Sequence, residues 1–185
     1  MLEYEEELAQ EKSRIAHRPA DHAGVPELAF FDVQVTVGEE EYARRMREVL
    51  NAALDVAMTA SFDEPLPTAG IPEWFACAST WKAENAPDFA VSGRERYLTH
   101  PGTSGIWMLS DWLSRFEPEF GMRGWAWWDL TRPAPAHLRI WVDCGTESFF
   151  AHLDLLWLAY TCGAAAITPP HLADATEWAA QPTFD

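Results

Sequence analysis

Two short runs in the last third of the chain, Trp125–Leu130 and Leu138–Asp143, narrow the fold more than any other feature. Each alternates with a period of two residues, and a Pro-containing loop at 131–137 joins them, so together they predict a β-hairpin. Pairing Leu130 with Leu138 puts Ala126, Trp128, Leu130, Leu138, Ile140 and Val142 on one face. The other face then carries Trp125, Trp127, Asp129, Arg139, Trp141 and Asp143, with Asp129 opposite Arg139 and Trp127 opposite Trp141. A slip of one residue would lose this sorting of residue types, so the pattern favours that register.

A third strand is expected at Leu28–Val37, where Ala29, Phe31, Val33, Val35 and Val37 share one face and Asp32, Gln34 and Thr36 the other. Glu39 then opens a helix to about Ala57 whose apolar stripe is Tyr42, Met46, Val49, Leu50, Ala53 and Ala57. Pairs Glu40–Arg44 and Glu41–Arg45 explain its basic cluster as a solvated face. A charged N-terminal helix is read at 3–16 with Leu8, Ile15 and Tyr4 as anchors, followed by a loop to Pro26. Glu73–Ser79 reads as a short strand, 81–96 shows no clear period, and a helix is expected at Gly105–Glu117, closed by Pro118 and Gly121. The last helix is capped by Thr146, carries Phe149, Phe150, Leu153, Leu156, Trp157 and Tyr160, and stops at Gly163. From Thr168 the tail is expected to be irregular, with Trp178 and Phe184 as docking anchors. The fold class is α+β, a small mostly antiparallel sheet with a C-terminal hairpin against three main helices, in a single domain over residues 1–185.

Charge sets the sign of the partner. Asp and Glu number 29 against 13 Lys and Arg, a formal net charge of -16. Such a surface repels phosphate backbones and anionic bilayers, so direct nucleic-acid and membrane binding are disfavoured and a basic partner is favoured. The three cysteines, Cys77, Cys144 and Cys162, are too few and too widely spaced for a disulfide framework or a Cys-based zinc site. The acidic opening predicts no signal peptide, and the apolar run 149–167 is broken by His152 and Asp154, as in a buried helix. A reduced cytoplasmic setting follows.

Dinucleotide and phosphate loops, a paired-histidine metal helix and a nucleophile elbow are all missing from the sequence. His152 and Asp154 lie two residues apart on a helix and point in different directions. Loop histidines His17 and His22, with Asp21, form at best a weak metal site. Cys144, before a helix start, suits a nucleophile, but its place on the Ile140 and Val142 face reads better as a small buried hydrophobe. Carboxylates beside tryptophans, Asp129 and Asp143, resemble sugar-processing clefts in type, yet Arg139 as the neighbour of Asp129 points to an ion pair. No catalytic residue, metal or cofactor is assigned.

Ten tryptophans are the most distinctive feature. Trp128 and Trp157 are core by strand and helix phase. Trp125, Trp127 and Trp141 alternate against the aliphatic face. Either a second layer covers them, or with Asp129, Arg139 and Asp143 they form an exposed partner-binding patch. The function expected first is therefore an acidic protein-binding module, in concrete form an immunity or antitoxin-like inhibitor that docks on a basic protein. The alternatives are a small-molecule binder or enzyme with an aromatic pocket lined by His100, Cys144, His152 or Asp154, and a structural or phage assembly component.

Overall fold

The computed structural model describes residues 2–20, 27–120, 122–145, 147 and 149–185. Thr146, Gly121, Asp21 and His22, singled out above as cap, terminator and metal candidates, lie outside the described residues.

An open antiparallel sheet of five strands organises the chain, in the order β2-β3-β1-β4, with β5 also pairing with β1. The strands are β1 (Leu28–Val35), β2 (Ala126–Ala134), β3 (His137–Asp143), β4 (Ala164–Ile167) and β5 (His171–Ala173). Among the described residues there are seven helices: α1 (Leu2–Ala16), α2 (Glu39–Thr59), α3 (Glu73–Ala78), α4 (Asp88–Thr99), α5 (Leu109–Ser114), α6 (Leu153–Thr161) and α7 (Ala175–Ala179). The α+β class is as the sequence predicts. None of these helices is long and apolar enough to cross a membrane.

One sheet face is the main core. Ala29, Phe31 and Val33 of β1 meet Val142, Ile140 and Leu138 of β3 in register. They pack with the α2 stripe of Tyr42, Met46, Val49, Leu50 and Ala53 in one buried cluster. The alternation of β1 and the period of α2 therefore do what their patterns imply. Leu8 and Ile15 of α1 join the same cluster, whereas Tyr4 stays exposed.

The hairpin register differs from the expected one. Leu130 pairs with Ile140, Asp129 with Trp141 and Thr131 with Arg139, and the ladder shifts between Trp127 and Asp129. Trp128 is the extra residue of a β-bulge, so the side chains before it change faces. Trp127 lands opposite Val142 and, with Trp125, joins the aliphatic core, while Trp128 goes to the other face. A strict period-two reading has no means of placing such an insertion.

That other face is covered too. Leu28, Phe30, Trp128 and Trp141 form a second buried cluster with Ala173 and Trp178. The cover comes from the tail expected to be irregular from Thr168: residues 171–173 add a strand to β1 and α7 lays Trp178 over the sheet, while 164–167, ahead of that tail, pair with β1 too. Thr183 bridges Thr131, and the Phe184 N–H donates to the Leu130 carbonyl at 2.8 Å, closing the outer edge of β2.

Three helical assignments also change. Glu73–Ala78 is helical, not extended, because the N–H groups of Phe75 and Ala76 both bond the Pro72 carbonyl and start a turn. The unread stretch holds α4, whose buried residues Ala90, Gly93 and Tyr97 recur at helical spacing. The helix expected at Gly105–Glu117 spans only Leu109–Ser114. Gly163 does end α6 with φ at +121°, as a C-terminal glycine should.

Burial makes a test of the hairpin. Trp127 is 1 % exposed, and Trp127→Ala is expected to cost about 3–5 kcal/mol, the range for truncating a core aromatic. A urea melt checks this, and an unchanged midpoint would mean that the bulge does not turn Trp127 inward.

Candidate functional site

Arginine–carboxylate pairs with tryptophan or tryptophan-backbone donors recur three times in the interior. Glu11 sits in the α1 stripe between Leu8 and Ile15 and is buried. It accepts two bonds from Arg123, at 2.8 and 2.7 Å, and one from the Trp127 N–H at 2.7 Å. Arg14 donates to the Trp127 carbonyl at 2.9 Å, so α1 satisfies both backbone groups of the bulge neighbour on the edge strand.

Asp154, buried on α6, accepts from Trp125 Nε1 at 2.9 Å and from its neighbour Leu155 N–H, and pairs with Arg115. Asp129 accepts from Trp178 Nε1 and Thr183 Oγ1, both at 2.8 Å, from the Leu130 N–H, and from Arg18 at 3.2 Å. Burial pushes the Asp129 carboxyl above its ordinary value, while the Trp178, Thr183 and Leu130 hydrogen bonds and the Arg18 charge pull it down. Each carboxylate is used up in holding segments together.

The hairpin candidates therefore do not assemble into a surface. Trp125, Trp127, Asp129 and Trp141 are buried, on two different faces. Arg139 pairs with Asp32 at 2.7 Å and with Glu177 at 3.2 Å, not with Asp129. Asp143 is half-buried and accepts from the Gly145 N–H. The covering layer, not the exposed patch, is the arrangement present.

Nor do the polar residues considered for a pocket gather. His100 bonds the Tyr160 hydroxyl at 2.8 Å, and burial together with the nearby His152 lowers its proton affinity. His152 Nδ1 is 2.8 Å from the Phe150 carbonyl oxygen. Cys144 is buried, and burial and the Asp143 charge push its thiol up, away from the thiolate a nucleophile needs. All three cysteines are free. Among the described residues no cluster of His, Cys, Asp or Glu could hold a metal ion.

A different surface stands out. Among the described residues nine large apolar side chains are exposed, and five of them, Tyr4, Met58, Phe120, Met122 and Phe149, line two adjoining depressions. Phe149 is 90 % exposed, Phe120 75 % and Met122 74 %. One depression, of about 770 Å³, lies between α1, the 115–126 segment and residues 143–151. The second, of about 280 Å³, lies between α1, the end of α2 and residues 117–120. Their rims carry Glu5, Glu7, Asp63, Glu117, Glu119 and Glu147, none with an ion-pair partner among the described residues. The cations of this region are engaged internally: Arg14 with the Trp127 carbonyl, Arg115 with Asp154 and Arg123 with Glu11.

Sequence reasoning missed this face. The sequence pattern places Phe149 in an apolar helix stripe, but α6 begins only at Leu153 and leaves it outside. The available signal was Phe120 and Met122, apolar residues in a Pro- and Glu-containing loop that belongs to no helical or strand period.

Compared with known proteins, the chain matches no family model, no curated protein and no solved structure.

Proposed function

We propose that the chain is an acidic protein-binding module, of the immunity or antitoxin-like inhibitor kind, that docks on a basic partner protein in the cytoplasm. One observation carries the reading: among the described residues five of the nine exposed large apolar side chains converge on adjoining grooves rimmed by carboxylates without an ion-pair partner there. Isolated exposed apolar residues are ordinary on a protein surface, but a shared patch of them inside a charged rim is what a docking site requires. The net charge of -16 supplies attraction at a distance, so association is fast at low salt and weakens as salt is added.

The test is capture of a partner from host lysate at low and high salt, by the parent protein and by a Phe120→Ser, Phe149→Ser double variant. Both side chains are mostly in solvent, so the variant should melt with the parent. It should lose at least about tenfold in affinity for the captured protein once that protein is purified. Equal affinity of the two forms would sink this binding face, and a captured protein that is acidic would sink the charge argument.

A further inference from the structure

The two depressions have Tyr4, Leu8, Glu117 and Pro118 in common, so they adjoin beside the N-terminal half of α1. Met122 and Phe149 stand in one part and Met58 and Phe120 in the other. Resting on the protein-binding reading above, we infer that the occupant is one contiguous amphipathic segment of the partner, apolar along one face and bearing Lys or Arg on its flanks.

Shape argues first. A concave channel with apolar pegs along it is filled by a ridge, such as a helix, whereas a flat surface would rest on the protruding phenylalanines and leave the floor unpacked. Charge argues second. Carboxylates stand on the α1 side, at Glu5 and Glu7, and across the channel, at Glu117 and Glu119. A segment with cations on both flanks of its apolar stripe meets both rims at once. A second copy of this chain would bring another net charge of -16 against the same carboxylates, and an anionic bilayer would be repelled for the same reason.

The experiment uses the full chain and a fluorescein-labelled peptide of about 18 residues, Leu at helical i, i+3, i+4 spacing and Lys elsewhere, with a scrambled peptide of the same composition. Anisotropy at physiological salt should show the patterned peptide binding at least about tenfold more tightly than the scrambled one. Phe120→Ser with Phe149→Ser should erase that difference. Glu117→Gln with Glu119→Gln should weaken binding several-fold, while Glu40→Gln with Glu84→Gln, outside the groove, should leave it unchanged.

Equal binding of patterned and scrambled peptides overturns the inference, as does indifference to the serine variants. A concentration-dependent dimer of the parent that the serine variant abolishes also overturns it, in favour of a second copy as occupant. If a basic protein is captured from lysate through Phe120 and Phe149 but the patterned peptide has no advantage, only the segment inference falls and the docking reading stands. Failure of both removes the reading as well.

Discussion

Gly93→Ala should lower the melting temperature by about 10 °C, against the usual direction of that substitution inside a helix. Alanine is normally the better helix former by about 1 kcal/mol. Here Gly93 lies where α4 crosses α6, and an added Cβ would sit 2.0 Å from the Tyr160 carbonyl oxygen, 2.6 Å from its carbon and 2.8 Å from the Thr161 Cα. All three are backbone atoms of a helix buried along its length, so no side-chain rotation relieves the clash. The helices must part, which opens the packing of Tyr97 against Trp157 and Tyr160, rings now 5.1 and 6.4 Å apart. Overpacking costs about 1–3 kcal/mol where side chains can give, and a backbone clash belongs at or above the top of that range. At about 2–4 °C per kcal/mol for a chain of this size, the loss is close to 10 °C. Differential scanning calorimetry reads it directly, and an unchanged or raised melting temperature would show that α4 and α6 do not meet at Gly93.

Asp129→Ala is expected to be as damaging, at about 3–5 kcal/mol, because it breaks the partly buried pair with Arg18 and leaves the Trp178 indole N–H without its acceptor. It also frees Thr183 and so loosens the tail that covers Trp128 and Trp141. Asp129→Asn keeps the shape and separates charge from packing. A carboxyl raised in the folded state supports folding most fully below its unfolded pKa of 3.8, and that support fades as pH rises through the folded value. The deficit of the Asn variant should therefore be smaller at neutral pH than below pH 3.8. Urea melts of both proteins at the two pH values measure it, and a deficit that grows with pH would reverse the sign assigned to Asp129.

Much of the frame was legible because its patterns are unbroken. In Leu28–Val35 every second residue from Ala29 to Val35 is apolar and buried, and α2 repeats its apolar stripe from Tyr42 to Ala57, so local periodicity and tertiary burial agree there. The hairpin was legible as two strands, but its pairing was not, since the insertion at Trp128 leaves no mark in composition. The C-terminal strands were illegible for another reason. Residues 164–167 and 171–173 are too short to show a period, and they are strands only because β1 offers them a free edge. The candidate site was illegible in a third way: Trp125, Trp127, Trp141 and Asp129 read as a surface, whereas all four are consumed in the interior. Glu11, Asp129 and Asp154 each hold an arginine and either an indole or a tryptophan backbone N–H. Burial of a charge depends on partners more than a hundred residues away, as with Arg123 and Glu11, and no window along the chain contains both.

The meeting of Arg18 with Ala179, Gln181 and Thr183 over the edge of β2 bears on how the chain is made. A ribosome delivers residue 18 long before residue 183, so α1 waits through most of synthesis, and the hairpin, once made, stands with Trp128, Trp141 and one sheet edge uncovered until Trp178 and Thr183 follow. Docking of residues 178–184 completes the cover of this face, and until then the nascent polypeptide displays aromatic side chains that chaperones are suited to hold. Removing residues 178–184 would thus leave a product whose other elements are intact yet which is prone to stick to its neighbours.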